Sequence, residues 1–171
     1  MRNFILAVAT LAAFAIAAPA QAGELVYTAT LSGHQEPTNT GSSATGTATL
    51  RVNTETHAID AQITIIGLPM DKLSMHLAHS AMGPMHLHRY AANGDVTLIL
   101  PFPMGETYAA TANGFTVTEH GYAYADGAQI VNSGLSFDQF IAAMASNPIF
   151  LNVHTDAFPE GEISGRVTRV S

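Results

Sequence analysis

The chain has 171 residues, the length of a single domain, and its 47% hydrophobic and 11% charged residues exclude a disordered polar chain. Six Lys and Arg stand against 13 Asp and Glu, a formal charge of −7, which argues against nucleic acid or an anionic membrane surface as the main partner. Cysteine is absent, which removes disulfides, thiolate metal sites and a catalytic thiol, whereas His and Met are over-supplied at 8 and 7.

Arg2, an apolar run from Phe4 to Ala18 and the small-residue site Ala20-Gln21-Ala22 read as a secretory signal peptide over residues 1–22. The run is about 15 residues long, short of the ~20 that a spanning helix needs, so cleavage near Gly23 is favoured over a membrane anchor. Loss of Arg2 takes the formal charge from −7 to −8. The expected destination is the periplasm or the cell exterior, with no membrane span after processing.

The remainder, residues 23–171, reads as one domain of short strands separated by Gly, Pro, Asn and Thr clusters. Leu25 to Leu31 and Gly46 to Val52 are rich in Thr and β-branched residues, as strands are. From Ala58 to Ile66, Ile59, Ala61, Ile63 and Ile65 alternate with Asp60, Gln62 and Thr64, giving one dry and one wet face. Asp95 to Leu100 is a further strand, closed by Pro101-Phe102-Pro103. Tyr108 to Ala112 and Phe115 to Glu119 flank Asn113-Gly114, a hairpin signal. Ser136-Phe137-Asp138-Gln139 is a capping box, and Phe137, Phe140, Ile141 and Met144 follow at helical spacing until Asn147-Pro148. Ile149 to His154 and Gly161 to Val167 are the last strands. Roughly eight strands and one short helix predict an all-β Greek-key sandwich or barrel. Residues 37–46 predict a flexible loop.

His76, His79, His86 and His88 lie within 13 residues, with Met70, Met75, Met82 and Met85 in the same stretch and Met104 beyond. In a strand, His86 and His88 share one face, and two such imidazoles can hold one metal ion. His76 and His79 have the spacing of one helical turn. His154 sits in a later strand pattern, and pairing of that strand with the His86/His88 strand would complete a three-His site. Imidazoles suit zinc, copper or iron, and the neighbouring thioethers tilt the expectation to copper, with zinc second. Single histidines such as His34, His57 and His120 read as surface residues, and Met at apolar positions reads first as core filler. No G-x-S-x-G elbow, phosphate loop or dinucleotide fingerprint is present.

Several blocks resemble the CHRD domain, a module named after chordin and common in exported bacterial proteins. Leu31-Ser-Gly-His-Gln-Glu-Pro37 resembles the family's opening LSGxQEVP, and Gly46 to Leu50 its second strand. His86-Leu-His88 followed by Asn93-Gly94-Asp95-Val96 resembles HIHxG…GPV. Ser136 to Met144 stands where the family has its helix, and Asn152-Val-His-Thr155 with Pro159-Glu-Gly-Glu-Ile163 resembles NVHTxxxPxGEIRG. Ser164 replaces the usual Arg there, and Glu160 a Gly. The resemblance implies an immunoglobulin-like or superoxide-dismutase-like β fold. A fainter likeness to copper/zinc superoxide dismutase implies His86, His88 and His154 as copper ligands.

Three expectations follow. The first is an exported copper-binding protein that handles copper with a donor or acceptor protein. The second is a superoxide-dismutase-like oxidoreductase, with Arg89 or Arg166 guiding the superoxide anion. The third is a structural or interaction module without metal. Arg89 follows His88 directly and points to the opposite face of an ideal strand, so it serves only if the strand ends there.

Overall fold

The computed structural model describes residues 23–170. The signal peptide expected over residues 1–22 lies outside them. Ten strands form one antiparallel sheet: β1 (Glu24–Ser32), β2 (Thr45–Asn53), β3 (Ala58–Ile66), β4 (Met85–Tyr90), β5 (Val96–Phe102), β6 (Tyr108–Thr111), β7 (Gly114–Ala123), β8 (Ile149–Val153), β9 (Ile163–Arg166) and β10 (Thr168–Arg169). The order is β5-β4-β8-β9-β1-β2-β3-β7-β6, with β10 also on β1. The sheet curls around one core, within the all-β sandwich or barrel class that the strand pattern predicts.

Period-2 alternation builds this core. On β3, Ile59, Ala61, Ile63 and Ile65 are buried while Asp60 and Gln62 are exposed. On β4 and β8 the core face carries Met85, Leu87, Ile149, Leu151 and Val153, all fully buried. Side chains at i and i+2 share a face, so His86, His88 and Asn152 are turned to the other side. That side is covered by loops, and this is why polar residues are buried there.

Among the described residues, three α-helices and a short 3-10 turn (Met70–Lys72) accompany the sheet where the sequence predicts one helix. The expected helix is α3 (Phe137–Ser146), with both hydrogen bonds of the capping box formed and Phe140 and Met144 in the core. α1 (Met75–Ala78) is a single turn, and α2 (Tyr124–Ile130) follows β7 directly. α2 lacks a side-chain N-cap and carries Gly127 in its middle, so local signals do not announce it. That glycine is needed for packing, since a Cβ there would lie 2.7 Å from Leu100 Cδ1.

Two turns differ in detail. β5 runs through Pro101 to Phe102, past the expected stop, because β5 is an edge strand and an edge tolerates a missing N–H. The β6–β7 hairpin turns at Ala112-Asn113, and Gly114 opens β7 at φ 153°. A Cβ on Gly114 would meet Ile65 O of β3 at 2.0 Å, so glycine serves close strand approach rather than the turn itself.

Candidate metal centre

β4 and β8 are adjacent antiparallel strands, with His86 opposite Asn152 and His88 opposite Phe150. His154 follows the last residue of β8, so the register brings it to the same patch as the His-x-His pair. Its N–H donates to Pro84 O at 2.8 Å and its carbonyl accepts from Ser74 N at 2.9 Å, which fixes the backbone just past the strand. Three imidazoles converge as a result. One nitrogen from each of His86, His88 and His154 lies within 4.8 Å of the others. The rings are 2%, 7% and 5% exposed, a degree of burial unusual for unpaired histidines.

The hydrogen bonding of the triad is incomplete in an informative way. His154 Nδ1 lies 2.8 Å from Pro159 O, and a carbonyl only accepts, so Nδ1 carries the proton and Nε2 keeps its lone pair. That Nε2 is 3.4 Å from His88 Nε2. Two nitrogens each about 2.05 Å from one ion, in tetrahedral to trigonal geometry, would be about 3.3–3.6 Å apart. Among the described residues, both ring nitrogens of His86 and Nδ1 of His88 are buried with no hydrogen-bond partner. Buried polar atoms without partners cost free energy, and an ion shared by the three rings, taking one nitrogen from each, would offset part of it at His86.

The three rings are held neutral, the form in which imidazole ligates. Burial, followed by the neighbouring His154 and His88 rings, pushes His86 down to about 3, with the Gly83 backbone acting the other way. Burial and then His154 push His88 down to about 4. His154 is also lowered by burial, against the opposing effects of the Pro159 carbonyl and Glu160.

A cleft of about 450 Å3 opens onto His88 and His154, while His86 lies behind them. One wall is the segment from Pro37 to Thr40 and the other is Ala157 to Gly161. The first wall, expected to be flexible, is instead clamped to β9. Thr40 Oγ1 donates to Glu162 O at 2.7 Å, Thr38 Oγ1 meets Ser164 Oγ at 3.1 Å, and Gln35 Nε2 donates to Ser164 O. The Glu162 carboxylate joins both walls, accepting from Ser42 Oγ at 2.7 Å and from Thr155 Oγ1, next to His154, at 2.8 Å. In sequence, Glu160-Gly161-Glu162 reads as a turn and strand start or as possible ligands, and the spacing of Glu162 from Thr155 and Ser42 gives no signal of this tie. Tyr90 lines the cleft beside His88, with ring centroids 6.2 Å apart, and its hydroxyl accepts from Asn152 Nδ2 at 3.1 Å.

The other candidates lie elsewhere. His76 and His79 sit exposed on and just after α1, and the His79 ring bonds to Met75 O in its own turn. Met85 is core filler on the opposite face of β4, Met75 is 59% exposed, and Met70 and Met104 pack against the core. Arg89 shares the Met85/Leu87 face, away from the imidazoles, and donates to Thr97 Oγ1 at 3.4 Å. Arg166 is exposed on β9.

A curled β domain with three buried imidazoles between two strands is, by class, a candidate metal-binding module. A family model for the CHRD domain matches residues 27–167, and the chain belongs to that family. No curated protein and no solved structure matches the chain. The fainter likeness to copper/zinc superoxide dismutase gains no support from these comparisons.

Proposed function

We infer that this CHRD domain holds one copper ion through His86, His88 and His154 and acts, as an exported protein, in copper handling. The observation that carries the reading is the convergence of three buried, neutral imidazoles with one nitrogen each within 4.8 Å of the others, the His88 and His154 Nε2 atoms at the 3.4 Å of a shared ion. The donor set is all nitrogen, and at such a site the divalent affinity order places copper above zinc. The Pro159 carbonyl fixes the His154 tautomer so that Nε2 faces the other rings, the outer hydrogen bond that ligating histidines usually make. Copper held there would supply a one-electron couple, and the cleft at His88 and His154 leaves room for a further ligand.

A copper titration of the chain from Gly23, with EPR on the Cu(II) form, tests this. One tightly bound copper with several nitrogen couplings, lost in both His86→Ala and His154→Ala, is the expected result. Binding indifferent to His154, or no stoichiometric metal, would overturn the site and leave the CHRD domain as an interaction module.

A further inference from the structure

We propose that the cleft above His88 and His154 selects by charge, admitting cations and neutral donors and disfavouring small anions, with Glu160 as the specificity-determining residue. The inference rests on the metal reading above and adds to it what can reach the ion.

The cleft is large for a diatomic anion. Its volume of about 450 Å3 is roughly fifteen times the ~30 Å3 share of one water, enough for a side chain or a small chelate. Its walls are mostly apolar, from Pro37, Val96, Phe158 and Pro159. Among the described residues, Glu160 is the one formally charged residue of the lining, and no lysine or arginine is part of it. Glu160 lines the cleft together with Tyr90, His88 and His154, and with no lysine or arginine beside it gives the unloaded cleft a negative charge. Apolar walls focus such a field on whatever enters.

A fast catalyst acting on a small anion needs the reverse arrangement, with a cation at the mouth. Arg89, the arginine adjacent to the site in sequence, is turned to the far face of β4 and engaged with Thr97. The charge pattern therefore suits entry of copper as a cation, and once copper is bound Glu160 offsets part of the ion's positive charge, so a small anion such as superoxide gains less there than at a site without the carboxylate.

The test uses the copper-loaded protein with azide as the anionic probe and imidazole as the neutral one, each titrated by visible absorption and EPR. Wild type is compared with Glu160→Gln and Glu160→Lys. One exposed unit charge a few ångström away changes an ionic affinity by about three- to fivefold in water. Azide should bind about threefold more tightly in Glu160→Gln and about tenfold more tightly in Glu160→Lys, with imidazole unchanged. Copper association, followed by stopped flow, should slow about threefold in Glu160→Gln and lose most of its salt dependence. Equal azide affinity in all three proteins, or parallel shifts for azide and imidazole, overturns the charge-selection inference while bound copper leaves the metal reading standing. A wild type that takes up no copper removes both.

Discussion

Two pairs of histidines lie ten residues apart in this chain, and they meet opposite fates. His76 and His79 belong to a single exposed helical turn and its C-cap, where the His79 ring bonds to the Met75 carbonyl of the same turn. His86 and His88 belong to a strand whose neighbour, β8, delivers a third imidazole from 66 residues away. Local density of histidine is equal in the two pairs. What separates them is orientation: an i, i+2 spacing on a strand aligns both rings with an adjacent strand, whereas the helical turn, though its backbone is tied to the His154 segment, leaves both rings exposed. Burial follows from the same difference, because the loops flanking β8 and β9 close over one pair and leave the other in water.

The sharpest way to break this comparison is to delete one member from each group. His154→Ala should weaken copper binding by more than a hundredfold, beyond the 10–100-fold typical of losing only an outer partner of a ligand. His76→Ala and His79→Ala should each change it by less than about twofold, read by competition with a chelator. Comparable losses in the two groups would mean that the surface turn joins the site.

Acid should separate the pairs in the metal-free protein. The folded pKa of His86 is pushed down to about 3, below the ordinary value of about 6.5 for an unfolded chain. The unfolded state then binds more protons below about pH 6.5, so stability falls as pH drops and continues falling toward about pH 3. His86 alone should cost about 2–3 kcal/mol by pH 4.5. His86→Leu should make that acid limb shallower in urea titrations at several pH values, with His88 and His154, also lowered by burial, supplying the rest.

Smaller changes address what covers the triad. Glu162→Gln leaves shape intact but weakens the acceptor for Ser42 and Thr155, and should cost about 1–3 kcal/mol, with faster hydrogen exchange confined to residues 33–44 and 154–162. Ser136→Ala removes the α3 N-cap, remote from the site, and should cost about 1 kcal/mol in chemical denaturation with copper affinity unchanged.

The sequence made legible whatever is local and periodic. β1 to β3 follow their alternation to within a residue or so, and α3 follows its capping box, because both signals arise from neighbours in the chain. His86 and His88 on one face were legible for the same reason, and His154 through its strand pattern. The order of strands was not, since nothing in β8 states that β4 lies beside it. α2 was hidden because it has no side-chain N-cap and carries a glycine, Gly127, close against Leu100 and Tyr122. The methionines misled by density, as Met85 alternates away from the rings into the core. The tie that Glu162 makes was not legible, because its partners, Ser42 and Thr155, are brought together by topology alone.

The adjacency of β4 and β8 has a mechanical corollary. Between His88 and His154 the chain runs through β5, β6, β7, α2 and α3 before returning. An ion gripping both histidines would act as a clasp on that long excursion. A covalent bridge across a loop of this size is worth on the order of 4 kcal/mol by removing unfolded conformations, and a chain without cysteine has no covalent way to make one. Metal uptake would then couple cargo to rigidity: the filled protein resists unravelling and proteolysis, and the emptied one is the form a protease recognises first.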